Sequence, residues 1–63
     1  MGYFDRLIDQ MAREAADHAP GSFEHEWRRR AAWKYALLAD GVPADEWTEC
    51  PDWFWAETER NAA

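Results

Sequence analysis

Two short breaks set the limits on what this chain can fold into. His18-Ala19-Pro20-Gly21 and Asp40-Gly41-Val42-Pro43 each combine a proline with a glycine. Proline has no N–H to give a helix and disfavours helical geometry at the residue before it, and glycine just past a helix is a common C-terminal stop. In the piece before the first break, apolar residues fall at Phe4, Leu7, Ile8, Met11 and Ala15, the period of an amphipathic helix. Between the breaks they fall at Phe23, Trp27, Ala31, Tyr35 and Leu38, with Trp33, Ala36 and Leu37 widening the stripe. The spacing predicts helices over 3–18 and 22–40. Ser22 caps the second, and Glu24 and Glu26 suit the positive end of its dipole. With so short a link the two should form an antiparallel hairpin, packing Phe4, Leu7, Ile8 and Met11 against Phe23, Trp27, Tyr35 and Leu38.

Beyond Gly41 the punctuation is dense. Pro43-Ala44-Asp45-Glu46-Trp47 reads as one turn of helix, and Cys50-Pro51-Asp52 as the start of a last helix over about 51–60. Helices this short are marginal alone, so they must dock on the hairpin, through Trp47, Trp53 and part of Phe54-Trp55. No strand pattern, repeat or low-complexity tract is present. The expectation is an all-α fold: one compact helical bundle over 1–63, an antiparallel hairpin plus one or two short C-terminal helices.

Size restricts how such a bundle is held. A domain of about 60 residues buries only ~60% of the surface its unfolded chain exposes, and the lone Cys50 rules out an internal disulfide. Five Trp, three Phe and two Tyr, each able to bury about 150–250 Å², are the available compensation. One cysteine, no visible export signal or lipidation motif, and no apolar run of about 18 residues together imply a reducing aqueous compartment, most simply a cytoplasm, and no membrane. Six Arg against one Lys, with twelve Ala, resembles coding in a GC-rich bacterial or phage genome.

The residues offer little to catalysis. His18, His25 and Cys50 are the only soft metal ligands and lack the paired spacing of a zinc site; a Glu14/His18 contact reads as a solvated pair. Cys50 stands at a helix start, where the dipole lowers a thiol pKa, yet a free cysteine is commonly a small buried hydrophobe. No catalytic, cofactor-binding or metal residues are assigned. Arg28-Arg29-Arg30, with Trp33 and Tyr35 nearby, invites nucleic acid. The ordinary alternative is a salt-bridged outer face, since Glu24/Arg28, Glu26/Arg30 and Glu26/Arg29 stand four or three apart. The net charge of −6 also repels a polyanion, so direct nucleic-acid binding is not expected.

The charge is unevenly placed. Residues 1–39 hold six acids and six bases, whereas residues 40–63 hold Asp40, Asp45, Glu46, Glu49, Asp52, Glu57 and Glu59 against Arg60 alone. The whole net charge sits in the last third. Interleaved with it are Trp47, Trp53, Phe54 and Trp55, and three consecutive aromatics sweep about 200° of a helix, too much for one core face to bury. The candidate partner-binding set is therefore Asp45, Glu46, Glu49, Asp52, Trp53, Trp55, Glu57 and Glu59. Such a surface complements a basic, partly apolar groove of the kind that binds nucleic acid. A plainer reading is that the acids merely keep a tiny domain soluble.

In format, with its charge on Asp45, Glu46, Glu49, Asp52, Glu57 and Glu59, the chain resembles the small phage-encoded inhibitors of bacterial defence, above all the anti-CRISPR proteins. That resemblance implies a stoichiometric blocker docked on a CRISPR effector or another nucleic-acid-binding protein inside the bacterial host. Two alternatives stand beside it. One is a helical module that homodimerises through Trp53-Phe54-Trp55; the other is a nucleic-acid accessory protein using Arg28–Arg30.

Overall fold

The computed structural model describes residues 2–63 and contains three helices: α1, Tyr3–Ala15; α2, Phe23–Ala39; and α3, Asp52–Ala62, with a single 3-10 turn at Ala44–Glu46 between the last two. There is no strand among the described residues. The all-α hairpin with short C-terminal elements is therefore the fold, and no helix is long and apolar enough to cross a membrane.

Local chemistry explains where each helix begins and ends. The Asp5 carboxylate accepts from the Gly2 N–H at 3.1 Å and closes the start of α1. Ser22 Oγ accepts from the His25 N–H at 3.2 Å, the N-cap expected of it. At the end of α2, Gly41 takes a φ of +73°, its N–H reaching the Leu38 carbonyl at 3.1 Å while Val42 N–H reaches Leu37 at 3.0 Å. This is the paired closure that glycine permits and a Cβ would strain. α1 stops three residues earlier than the periodicity predicts. Asp17 N–H bonds Glu14 and His18 N–H bonds Ala15, tighter i to i−3 bonds that wind the last turn down ahead of Pro20.

The hairpin forms, but its packed face differs from the expected one. Phe23 is 70% and Leu38 39% exposed, while the buried set is Met11, Ala12, Ala15, His25, Ala32, Leu37, Trp55 and Thr58. Residues four apart advance about 40° beyond a full helical turn, so Phe23-Trp27-Ala31-Tyr35 winds around α2 instead of running along it. Ala32 lies at the centre of the contact, and Phe23, nine residues earlier, falls on the opposite side of the helix. Tyr35 stays close enough to meet Phe4, ring centres 6.3 Å apart.

Small side chains make the helix–helix contact. Ala15 and Ala32 are 1% and 0% exposed, and no large side chain is completely enclosed among the described residues. The core is consequently thin: Met11, Ala12, Ala15, Ala32 and Trp55, flanked by half-buried Ile8, Trp27, Tyr35 and Phe54. The overall extents are 31 × 25 × 17 Å. α3 lies mainly against α1 and supplies Trp55 as the one large buried ring. Two arginines of α2 tie the pieces together. Arg28 donates to Glu14 of α1 at 3.1 Å, and Arg29 donates to Asp52 at the start of α3 at 2.6 Å.

Candidate partner-binding surface

The acidic third is presented outward. Asp45 and Glu46 stand exposed in the 3-10 turn, Glu49 in the segment after it, and Glu57 and Glu59 on α3. None of these five forms an ion pair among the described residues. Asp52 differs, since its carboxylate accepts from Arg29 although its side chain is 98% exposed. In the first two helices Asp9 is ion-paired with Arg13, and Glu14 and Glu24 with Arg28, while Glu26 is hydrogen-bonded to His25 and Asp5 to the Gly2 N–H. The structure thus adds a difference in pairing to the difference in charge.

The three consecutive aromatics separate as the helical sweep requires. Trp55 is 5% exposed and meets the buried His25 ring edge-on, centres 5.6 Å apart. It is a core residue and drops out of any surface the other candidates form. Phe54 is half-buried, its ring 4.8 Å from that of Trp33. Trp53 is 65% exposed and touches both edge-on, 6.3 Å from Trp33 and 6.0 Å from Phe54. Trp47 half-buries itself, as its expected docking role requires, and its indole N–H donates to the Val42 carbonyl at 2.9 Å.

The arginine run does not form one surface. Arg28 turns inward, its side chain 16% exposed between Glu14 and Glu24. Hydrogen bonding to Arg28 helps hold both carboxyls below the usual carboxylate range, Gln10 being the larger influence on Glu14. Arg29 reaches Asp52 and the Cys50 carbonyl. Of the three, only Arg30 is exposed and without an ion pair among the described residues. The expected pairing of Glu26 with Arg29 or Arg30 is not made. Glu26 instead accepts from Gly21 N–H at 3.3 Å and lies 2.6 Å from His25 Nδ1, contacts that lower its pKa.

Between α2 and residues 47–52 runs an open cleft of about 860 Å³, with Arg30, Trp33 and Lys34 on one wall and Trp47, Thr48 and Glu49 on the other. Trp33 N–H closes its floor by donating to the Thr48 carbonyl at 2.9 Å. The sequence pattern marks Trp33 as a widening of the helix stripe and as a ring beside the arginine run. Its part in joining α2 to the irregular segment depends on a partner fifteen residues away. Cys50 borders the same cleft, packs against the core and has its thiol pKa pushed up by burial. Desolvation raises this thiol more than its contact with Arg29 lowers it, which disfavours the thiolate. No group of three or more His, Cys, Asp or Glu side chains that could hold a metal converges among the described residues.

Comparison with protein-family models, with curated proteins and with solved structures finds no match.

Proposed function

We propose that this protein works by binding, as a small acidic inhibitor that occludes a basic, nucleic-acid-handling surface of a partner protein in the manner of an anti-CRISPR protein. The observation that carries this reading is the pairing difference: Asp45, Glu46, Glu49, Glu57 and Glu59 are exposed and form no ion pair among the described residues, in the same third of the chain as the exposed Trp53, while Asp9, Glu14 and Glu24 of the first two helices are paired within the chain. Free carboxylates attract and orient a basic partner, and a large indole supplies apolar contact once water is excluded.

The alternatives draw less support. Arg28 and Arg29 are engaged within the fold, which leaves Arg30 alone of the run to meet a nucleic acid, on a chain of net charge −6. A homodimer through Trp53-Phe54-Trp55 would have to do without Trp55, which lies in the core.

The test is direct. Purified CRISPR effectors are challenged with their target DNA in the presence of increasing amounts of the protein. The expected result is inhibition that saturates near equimolar protein and that weakens when Glu46, Glu49, Asp52, Glu57 and Glu59 become amides, with the loss mainly in the on-rate and smaller at high salt. Alanines at Arg28, Arg29 and Arg30 should affect binding much less, after correction for stability. An amide set that binds normally beside an arginine set that fails would replace this reading with one centred on the basic face.

A further inference from the structure

The chain sets a cation over two of its indoles and leaves a third uncovered. The Arg28 guanidinium stands 4.4 Å from the centre of the Trp27 ring while donating to the carboxylates of Glu24 at 2.8 Å and Glu14 at 3.1 Å. Lys34 Nζ stands 5.8 Å from the centre of Trp47. Trp27 and Trp47 are half-buried. Trp53 is the more exposed ring, at 65%, and among the described residues no cation stands over it.

Unlike the two covered indoles, Trp53 is braced by other aromatic rings. Trp33 and Phe54 hold the Trp53 indole edge-on at interplanar angles of 85° and 86°, so covering its open face costs little side-chain entropy. Glu57, four residues on, shares the outer face of α3, where side chains at that spacing are neighbours. It is exposed and unpaired among the described residues. Arg60, two turns along the same face, stands over no ring.

We infer that Trp53 and Glu57 form a capture site for an arginine side chain of the partner, its guanidinium stacked on the indole and donating to the Glu57 carboxylate. This rests on the acidic-surface reading above and names the group that the surface receives. Arginine fits better than lysine because a flat guanidinium stacks on a ring and forks to a carboxylate at once. Within the chain, arginine makes the closer of the two occupied contacts and lysine the looser.

The test uses the indole N–H resonances of the ¹⁵N-labelled protein, which contains five tryptophans. The Trp53 resonance is identified by its loss in Trp53→Phe. Hexa-arginine, hexalysine and uncharged hexacitrulline peptides are titrated in turn. The expected result is a saturable shift largest at Trp53, strongest with hexa-arginine and absent with hexacitrulline. Trp53→Leu should weaken hexa-arginine binding about two- to fivefold, the factor corresponding to an exposed cation–π contact of about 0.5–1 kcal/mol. Glu57→Gln should weaken it as well, more at low salt than at high. The inference is overturned if Trp27 or Trp47 shifts as much as Trp53, if hexalysine matches hexa-arginine, or if both variants bind at wild-type strength. The two proposals fail separately: inhibition that depends on the acids but survives Trp53→Leu and Glu57→Gln removes the arginine site alone, whereas a Trp53 response to arginine without any inhibition removes the inhibitor reading.

Discussion

Arg29 and Asp52, twenty-three residues apart, meet at 2.6 Å, and the same guanidinium reaches the Cys50 carbonyl at 3.5 Å. One side chain of α2 thereby holds the chain just where α3 begins. The Asp52 side chain is 98% exposed, so water and salt screen the pair and its effect should be local. A double-mutant cycle of Arg29→Ala and Asp52→Asn is expected to give a coupling of about 0–1 kcal/mol, shrinking at high salt. Amide exchange near the start of α3 should rise in either variant. A coupling of several kcal/mol would show the pair to be shielded in solution.

Trp55 and Trp53 are two residues apart and should behave oppositely. Trp55 is the one large ring in the buried cluster, and truncating such a residue costs about 3–5 kcal/mol, most of what a domain this small has. Trp55→Ala should be largely unfolded by far-ultraviolet circular dichroism, whereas Trp53→Ala should melt close to the wild type. Trp27→Ala should fall between them, because that ring is half-buried beneath Arg28. Equal losses at Trp53 and Trp55 would contradict the assignment of their faces.

The α1–α2 contact should admit no additional atoms around Ala32. Ala32 is fully enclosed, and forcing extra methylenes into a close-packed site typically costs about 1–3 kcal/mol. Ala32→Leu should therefore destabilise the protein by about that amount despite adding apolar surface, while Ala56→Leu on the exposed side of α3 should be close to neutral. Thermal melts of the two variants check this. A melting point raised by Ala32→Leu would reveal unfilled space between the helices.

Acid should loosen the hairpin through specific carboxylates. Glu14, Glu24 and Glu26 all titrate below their ordinary value in the folded chain, through hydrogen bonds from Gln10 and Arg28, from Arg28 and Trp27, and from His25 and Gly21. A carboxyl depressed by folding stabilises the protein above its unfolded pKa, near 4.3. That contribution is lost as pH falls through the folded value. Stability should decline below about pH 4.5, and Glu14→Gln with Glu24→Gln should be less stable at pH 7 but flatter across this range. Identical pH profiles for the variant and the wild type would remove these groups as the cause.

The sequence by itself determined the elements and most of their ends, the last turn of α1 excepted. Ser22 at the start of α2, Gly41 and Pro43 past its end, and the periodicity that predicts a helix over 3–18 each act within a few residues, through caps, a positive φ and a missing N–H. The asymmetry of charge was equally legible, because it depends only on which residues stand where. The tertiary structure decided which side of α2 faces inward. Apolar residues surround that helix, so the burial of His25 and Ala32 on one side and of Leu37 roughly 130° round from them follows from α1 packing on one side and the 47–52 segment on the other, not from the most hydrophobic stripe. Packing likewise decided that Trp55 belongs to the core and Trp53 to solvent, and that Arg28 and Arg29 cross to Glu14 and Asp52. Each of those outcomes depends on a neighbour fourteen or more residues away, beyond the reach of local spacing.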